Sequence, residues 1–82
     1  MKKEIAEVTN FFNKVSVVDI RLFDTLKIGD KLHFKGTNTD FEQVIETMET
    51  KGQKIQFGNV GQTVGIKVKE RVRKNDKVFL VS

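Results

Sequence analysis

With 82 residues the chain has room for a single domain, read here as 1–82, and for one hydrophobic core. The absence of cysteine excludes a disulfide scaffold and a thiolate metal site, and 38% apolar residues without proline argue against disorder. A net charge of +4 is moderate, and no apolar run approaches the length of about 20 residues that crosses a bilayer, so a cytoplasmic location without membrane contact is expected.

Taken in order, Glu4–Phe12 reads as a first strand, and Asn10 and Asn13 bracket Phe11-Phe12 as turn residues of a hairpin. Val15–Leu22 alternates but changes phase between Val17 and Val18, which predicts a bulge or a strand buried on both sides in turn. Leu26–Asp30 is a turn, with Gly29 supplying a positive φ. Lys31–Lys35 is a short strand with Leu32 and Phe34 inward, ended by Gly36. Asp40–Thr50 is ambiguous. Phe41, Val44, Ile45 and Met48 fall at i, i+3, i+4 and i+7, the pattern of an amphipathic helix, with Asp40 as its cap and Gly52 at its end. A strand there needs a bulge to bring both Ile45 and Met48 inward.

Gly52-Gln53 predicts a hairpin turn, followed by a short strand through Ile55 and Phe57. Gly58, Gly61 and Gly65 mark a bending backbone. Val64, Ile66 and Val68 then alternate with Gly65, Lys67 and Lys69, the period of a strand with one buried face. Asn75-Asp76 turns the chain, with Asn75 left-handed, into a closing strand Lys77–Val81. Six or seven strands at this spacing predict an all-β barrel, closed or nearly so.

Leu26-Lys27-Ile28-Gly29-Asp30-Lys31, Gly36, Thr39-Asp40-Phe41-Glu42-Gln43 and Val60-Gly61-Gln62-Thr63-Val64-Gly65-Ile66-Lys67-Val68 together resemble the second, β-barrel domain of translational GTPases such as elongation factor Tu. More closely, they resemble the small free-standing translation elongation factor-like proteins; a similar domain ends some U32-type peptidase proteins. The resemblance covers essentially the whole chain. It implies a barrel of the elongation factor domain 2 type, with Asp40–Thr50 as a bulged strand, and a place in translation. Gln62 and Asn75 depart from the acidic residue and the glycine usual in elongation factors. The chain has no G-x-x-x-x-G-K-[ST] loop, so GTP hydrolysis and a nucleotide partner are excluded.

The charges are unevenly placed. Asp40, Glu42, Glu46 and Glu49 stand together without a base, whereas Lys67, Lys69, Arg71, Arg73, Lys74 and Lys77 meet only Glu70 and Asp76. If the strand continues, Lys67, Lys69, Arg71 and Arg73 share one face at steps of about 6.6 Å, close to the phosphate spacing of an extended nucleic-acid strand. The competing reading is a solvated face that guards an edge. Lys31, His33 and Lys35 form a second outward row, and a lone histidine without cysteine makes neither a metal site nor a triad. Phe11 and Phe12 point to opposite faces; Phe11 is taken as the ring available for base stacking. The acids read as a solvated face or a patch for a basic partner. These residues predict a non-catalytic, cofactor-free binding module of the translation apparatus that contacts tRNA or rRNA. The alternative is a protein-interaction accessory module that docks on a larger enzyme or a ribosome-associated partner.

Overall fold

The structure, a computed structural model, describes residues 2–81, all of whose regular elements are strands. In chain order these are β1 (Lys2–Phe12), β2 (Val17–Leu22), β3 (Leu26–Lys27), β4 (Lys31–Lys35), β5 (Asp40–Val44), β6 (Glu49–Thr50), β7 (Gln53–Lys54), β8 (Phe57–Gly58), β9 (Thr63–Lys67) and β10 (Lys77–Val81). Eight of them form one sheet in the order β5-β4-β10-β1-β2-β9-β6-β7, every pairing antiparallel, and β3 pairs with β8 as a separate ribbon. No helix here is long and apolar enough to cross a membrane.

Alternation places one face of each main strand inside. Ile5, Val8, Val18, Ile20, Leu22, Leu32, Phe34, Val64, Ile66 and Val78 are essentially without solvent contact, and Phe34 stacks on Phe41 with ring centres 5.1 Å apart. Two bulges bend β1, one between Glu4 and Ala6 against β10 and one between Val8 and Asn10 against β2. The phase change expected in Val15–Leu22 has a different origin. Val15 and Ser16 belong to the hairpin turn, where Ser16 is left-handed with φ 54°, and β2 begins only at Val17.

The expected closed barrel of six or seven strands does not form. The sheet has two ends, β5 and β7, that do not pair with each other. The cause lies in the segment that carried the ambiguous pattern, and it is neither a helix nor a continuous bulged strand. After Val44 the backbone leaves the ladder. Ile45 donates to the Asp30 carbonyl and accepts from the Gly29 amide, each at 2.9 Å. This brings Ile45 and then Met48 into the core, and pairing resumes only as the two-residue strands β6 and β7. Lys51 and Gly52, at φ 52° and 78°, make the tight mirror-image turn between them. Ile55 is partly buried, but Phe57 faces solvent.

Candidate functional site

The basic segment starts at the end of β9 and crosses one end of the sheet to reach β10. The strand does not continue past Lys67, so Lys69, Arg71 and Arg73 do not form a ladder of fixed step with it. Three contacts take the chain off the sheet. Val68 donates its amide to the Ser16 carbonyl at 2.9 Å. The Gln43 side chain donates to the Lys67 carbonyl and accepts from the Lys69 amide, both at 2.9 Å, filling the positions that a neighbouring strand's backbone would take. Val72 then inserts into the core as an anchor. The segment is completed by Asn75, left-handed as expected at φ 74°, and by Asp76, whose carboxylate accepts the Arg73 amide at 2.9 Å. Lys67, Lys69, Arg71, Arg73, Lys74 and Lys77 are all exposed, and among the described residues none lies in an ion pair.

The second predicted row is arranged differently. Lys31, His33 and Lys35 do share the outward face of β4, but β5 lies beside them with His33 opposite Glu42 and Lys35 opposite Asp40. Glu42 bridges Lys31 and Lys2, each at 3.2 Å. Lys2 Nζ donates to His33 Nδ1 at 2.6 Å, which places the ring hydrogen on Nε2, and Asp40 accepts it at 2.6 Å. Lys35 reaches the other Asp40 oxygen at 2.8 Å. Hydrogen bonds from Lys35 and His33 bring the Asp40 carboxyl down to about 2, and those from Lys31 and Lys2 lower Glu42. This row is therefore an ion-paired lattice and not a strip of free cations. Asp40 and Glu42 are drawn into it, while the Asp40 side chain stays 62% exposed and Glu46 and Glu49 face solvent.

Phe11 is half-buried against the core, and it is Phe12 that stands 44% exposed beside exposed Val15 at the hairpin tip. The ring taken for stacking is thus the packed one. Residue order alone does not say which of two adjacent rings turns inward; the bulge before Asn10 sets that phase.

One hollow escaped the sequence reading. Asp19 of β2 and Glu49 of β6 both pair with Gly65 of β9, and the two carboxylates flank its bare backbone in a cavity of about 550 Å³. Burial, and then the charge of Glu49, raise the Asp19 carboxyl. Among the described residues no group of three His, Cys, Asp or Glu side chains is placed to hold a metal ion. Asp19 lies far from the acidic segment in sequence, so no local pattern announces this pair.

No protein-family model matches the chain. It is similar to an uncharacterized protease of Methanocaldococcus jannaschii, 38% identical over 81 residues, which cover 98% of this chain and 20% of that protein. The chain therefore spans about a fifth of the length of this curated relative. Among solved structures, the C-terminal domain of a candidate U32 peptidase of Geobacillus thermoleovorans matches with a TM-score of 0.92 at 19% identity, covering 98% of this chain and 93% of that one. Its selenomethionine variant matches with a TM-score of 0.88 at 20% identity, covering 93% and 96%. These findings overturn the resemblance to elongation factors. The relatives are of the peptidase kind, the fold is that of a U32 peptidase C-terminal domain, and the translation context falls with the resemblance that implied it.

Proposed function

We propose that this chain is a non-catalytic accessory module that docks on a larger protein through its cationic segment, Lys67 to Lys77. One observation carries the reading: nearly the whole chain recurs within a fifth of the uncharacterized protease of M. jannaschii, so the same unit occurs as a minor part of something larger. The structural matches are likewise domains of a longer protein. The charge distribution supports the choice of surface, because among the described residues the six exposed cations at this end of the sheet stand without carboxylate partners. Free surface charge of one sign steers association and selects a partner of opposite potential.

The test is to supply the module in trans. The M. jannaschii relative, shortened by the segment that this chain matches, is titrated with this chain by calorimetry. The expected result is a one-to-one complex that weakens as salt is raised from 50 to 300 mM, over which the screening length falls from roughly 14 to 6 Å. Absence of a complex, together with binding of this chain to tRNA, reverses the reading in favour of nucleic acid.

A further inference from the structure

Two of the unpaired cations meet Lys35 at one place. The Gly36-Thr37 turn that ends β4 and the Lys74–Asp76 turn that begins β10 face each other across a groove of about 400 Å³, lined by Lys35, Lys74 and Lys77. Lys35 and Lys77 sit directly opposite each other in the β4–β10 ladder. On its other side Lys77 stands opposite Glu7 of β1, but Glu7 pairs with Arg21 at 3.8 Å. Asp40 reaches Lys35 at 2.8 Å, but Lys74 and Lys77 have no carboxylate partner among the described residues.

The groove also has a fixed frame. Asp76 is buried at its floor, its carboxylate holding the Arg73 amide. Gly36 is pressed against that carboxylate so closely that a Cβ would come within 2.0 Å of Oδ1. Both turns therefore start from a set backbone, and Asp76 is committed to the turn and does not reach out to neutralise the lysines.

From these features we infer that the groove is a seat for carboxylate side chains, and that the partner presents an acidic peptide segment to it. This deepens the docking reading and rests on it. Among the described residues Lys74 and Lys77 stand at the rim without an ion-pair partner, Lys35 beside them is shared with Asp40, and exposed Arg71 and Arg73 extend the positive surface beyond the groove. That arrangement matches a run of acids better than one enclosed anion. Nucleic acid is the poorer fit, because single-strand binding draws on exposed aromatic platforms. Among the described residues no aromatic residue lines the groove, Phe79 and Phe11 are partly buried, and the exposed rings Phe12, Phe23 and Phe57 are not part of its lining.

The experiment uses a fluorescein-labelled decapeptide of glutamate and aspartate, and a single-stranded oligoribonucleotide of equal charge, each followed by anisotropy. Lys74→Glu and Lys77→Glu should each weaken the acidic peptide by about tenfold. Lys51→Glu, in the β6–β7 turn at the other edge of the sheet, should leave it within about twofold. Tighter binding of the oligoribonucleotide, no binding of either probe, or equal damage from Lys51→Glu would each overturn the proposal. The two readings fail separately. If Lys74→Glu binds the shortened relative undiminished, the seat is wrong and docking stands; if neither chain binds it, docking is wrong.

Discussion

The outer face of β5, β4 and β10 and the segment from Lys67 to Lys77 are both rich in lysine, yet they carry opposite electrostatic consequences. On the first, antiparallel register sets Asp40 and Glu42 beside Lys35, His33 and Lys31, and Lys2 reaches in from β1, so the charges consume one another. On the second, the chain leaves the sheet after Lys67, and although Glu7 of β1 stands opposite Lys77, among the described residues it pairs with Arg21 and none of the six cations is ion-paired. The difference teaches that a count of cations is not a potential. What matters is whether an acid reaches the cation through space, and that acid is often distant in sequence.

The comparison breaks first if the basic segment is merely draped on the surface. Phe34→Ala, in the core beneath the ionic lattice, should cost about 3–5 kcal/mol in denaturant unfolding. Val72→Ala, beneath the basic segment, should cost about 1–2 kcal/mol, counting the methyl groups lost. A loss for Val72→Ala too small to measure would mean that the segment is not anchored. Gln43→Ala tests how the segment leaves the sheet. It removes both side-chain hydrogen bonds that hold Lys67 and Lys69, and should cost about 1–2 kcal/mol while speeding hydrogen exchange at the Lys69 amide. Unchanged exchange there would sink the account of Gln43 as a substitute for strand pairing.

Acid sharpens the comparison on the lattice side. The Asp40 carboxyl is held at about 2, against an ordinary 3.8, by Lys35 and His33. A lowered carboxyl stabilises the fold fully above its ordinary value, and that contribution is lost as the pH falls through about 2. Asp19 runs the other way. Its carboxyl is raised by burial and by Glu49, so its contribution is full below 3.8 and is lost as the pH rises through the raised value. Carboxyl NMR titration should place Asp40 below and Asp19 above the ordinary value; finding both at it would remove the distinction. The smallest effect is expected for Lys31→Ala. The melting temperature should stay within error, since exposed ion pairs contribute little, but Glu42 should titrate nearer its ordinary value once the Lys31 hydrogen bond, the main cause of its lowering, is gone.

Much of this architecture was open to inspection from residue order. Alternation identified the inward residues of β4 and β9, and Asn75 stood out as the left-handed turn residue because Asn tolerates that region. The candidate surface was legible only in part. Six cations between positions 67 and 77 are a local fact, but their lack of partners is not. Phe12 rather than Phe11 is exposed because a bulge resets the phase of β1, and bulges leave little local trace. The helix-like spacing of Phe41, Ile45 and Met48 misled for a related reason. Those side chains do converge on the core, but by a break in the strand at which the Ile45 backbone bonds to the Gly29–Asp30 turn.

By itself, then, the order of residues determined an all-β chain with one core and a cluster of bases near its end, because period-two burial and turn chemistry act over a few neighbouring positions. Tertiary structure alone decided that the sheet stays open and that Lys31, His33 and Lys35 are neutralised. It also decided that Lys35 and Lys77 meet across a groove with Lys74 at its rim. Each of these depends on which distant strands become neighbours, and electrostatic energy follows distance through space, not separation along the chain.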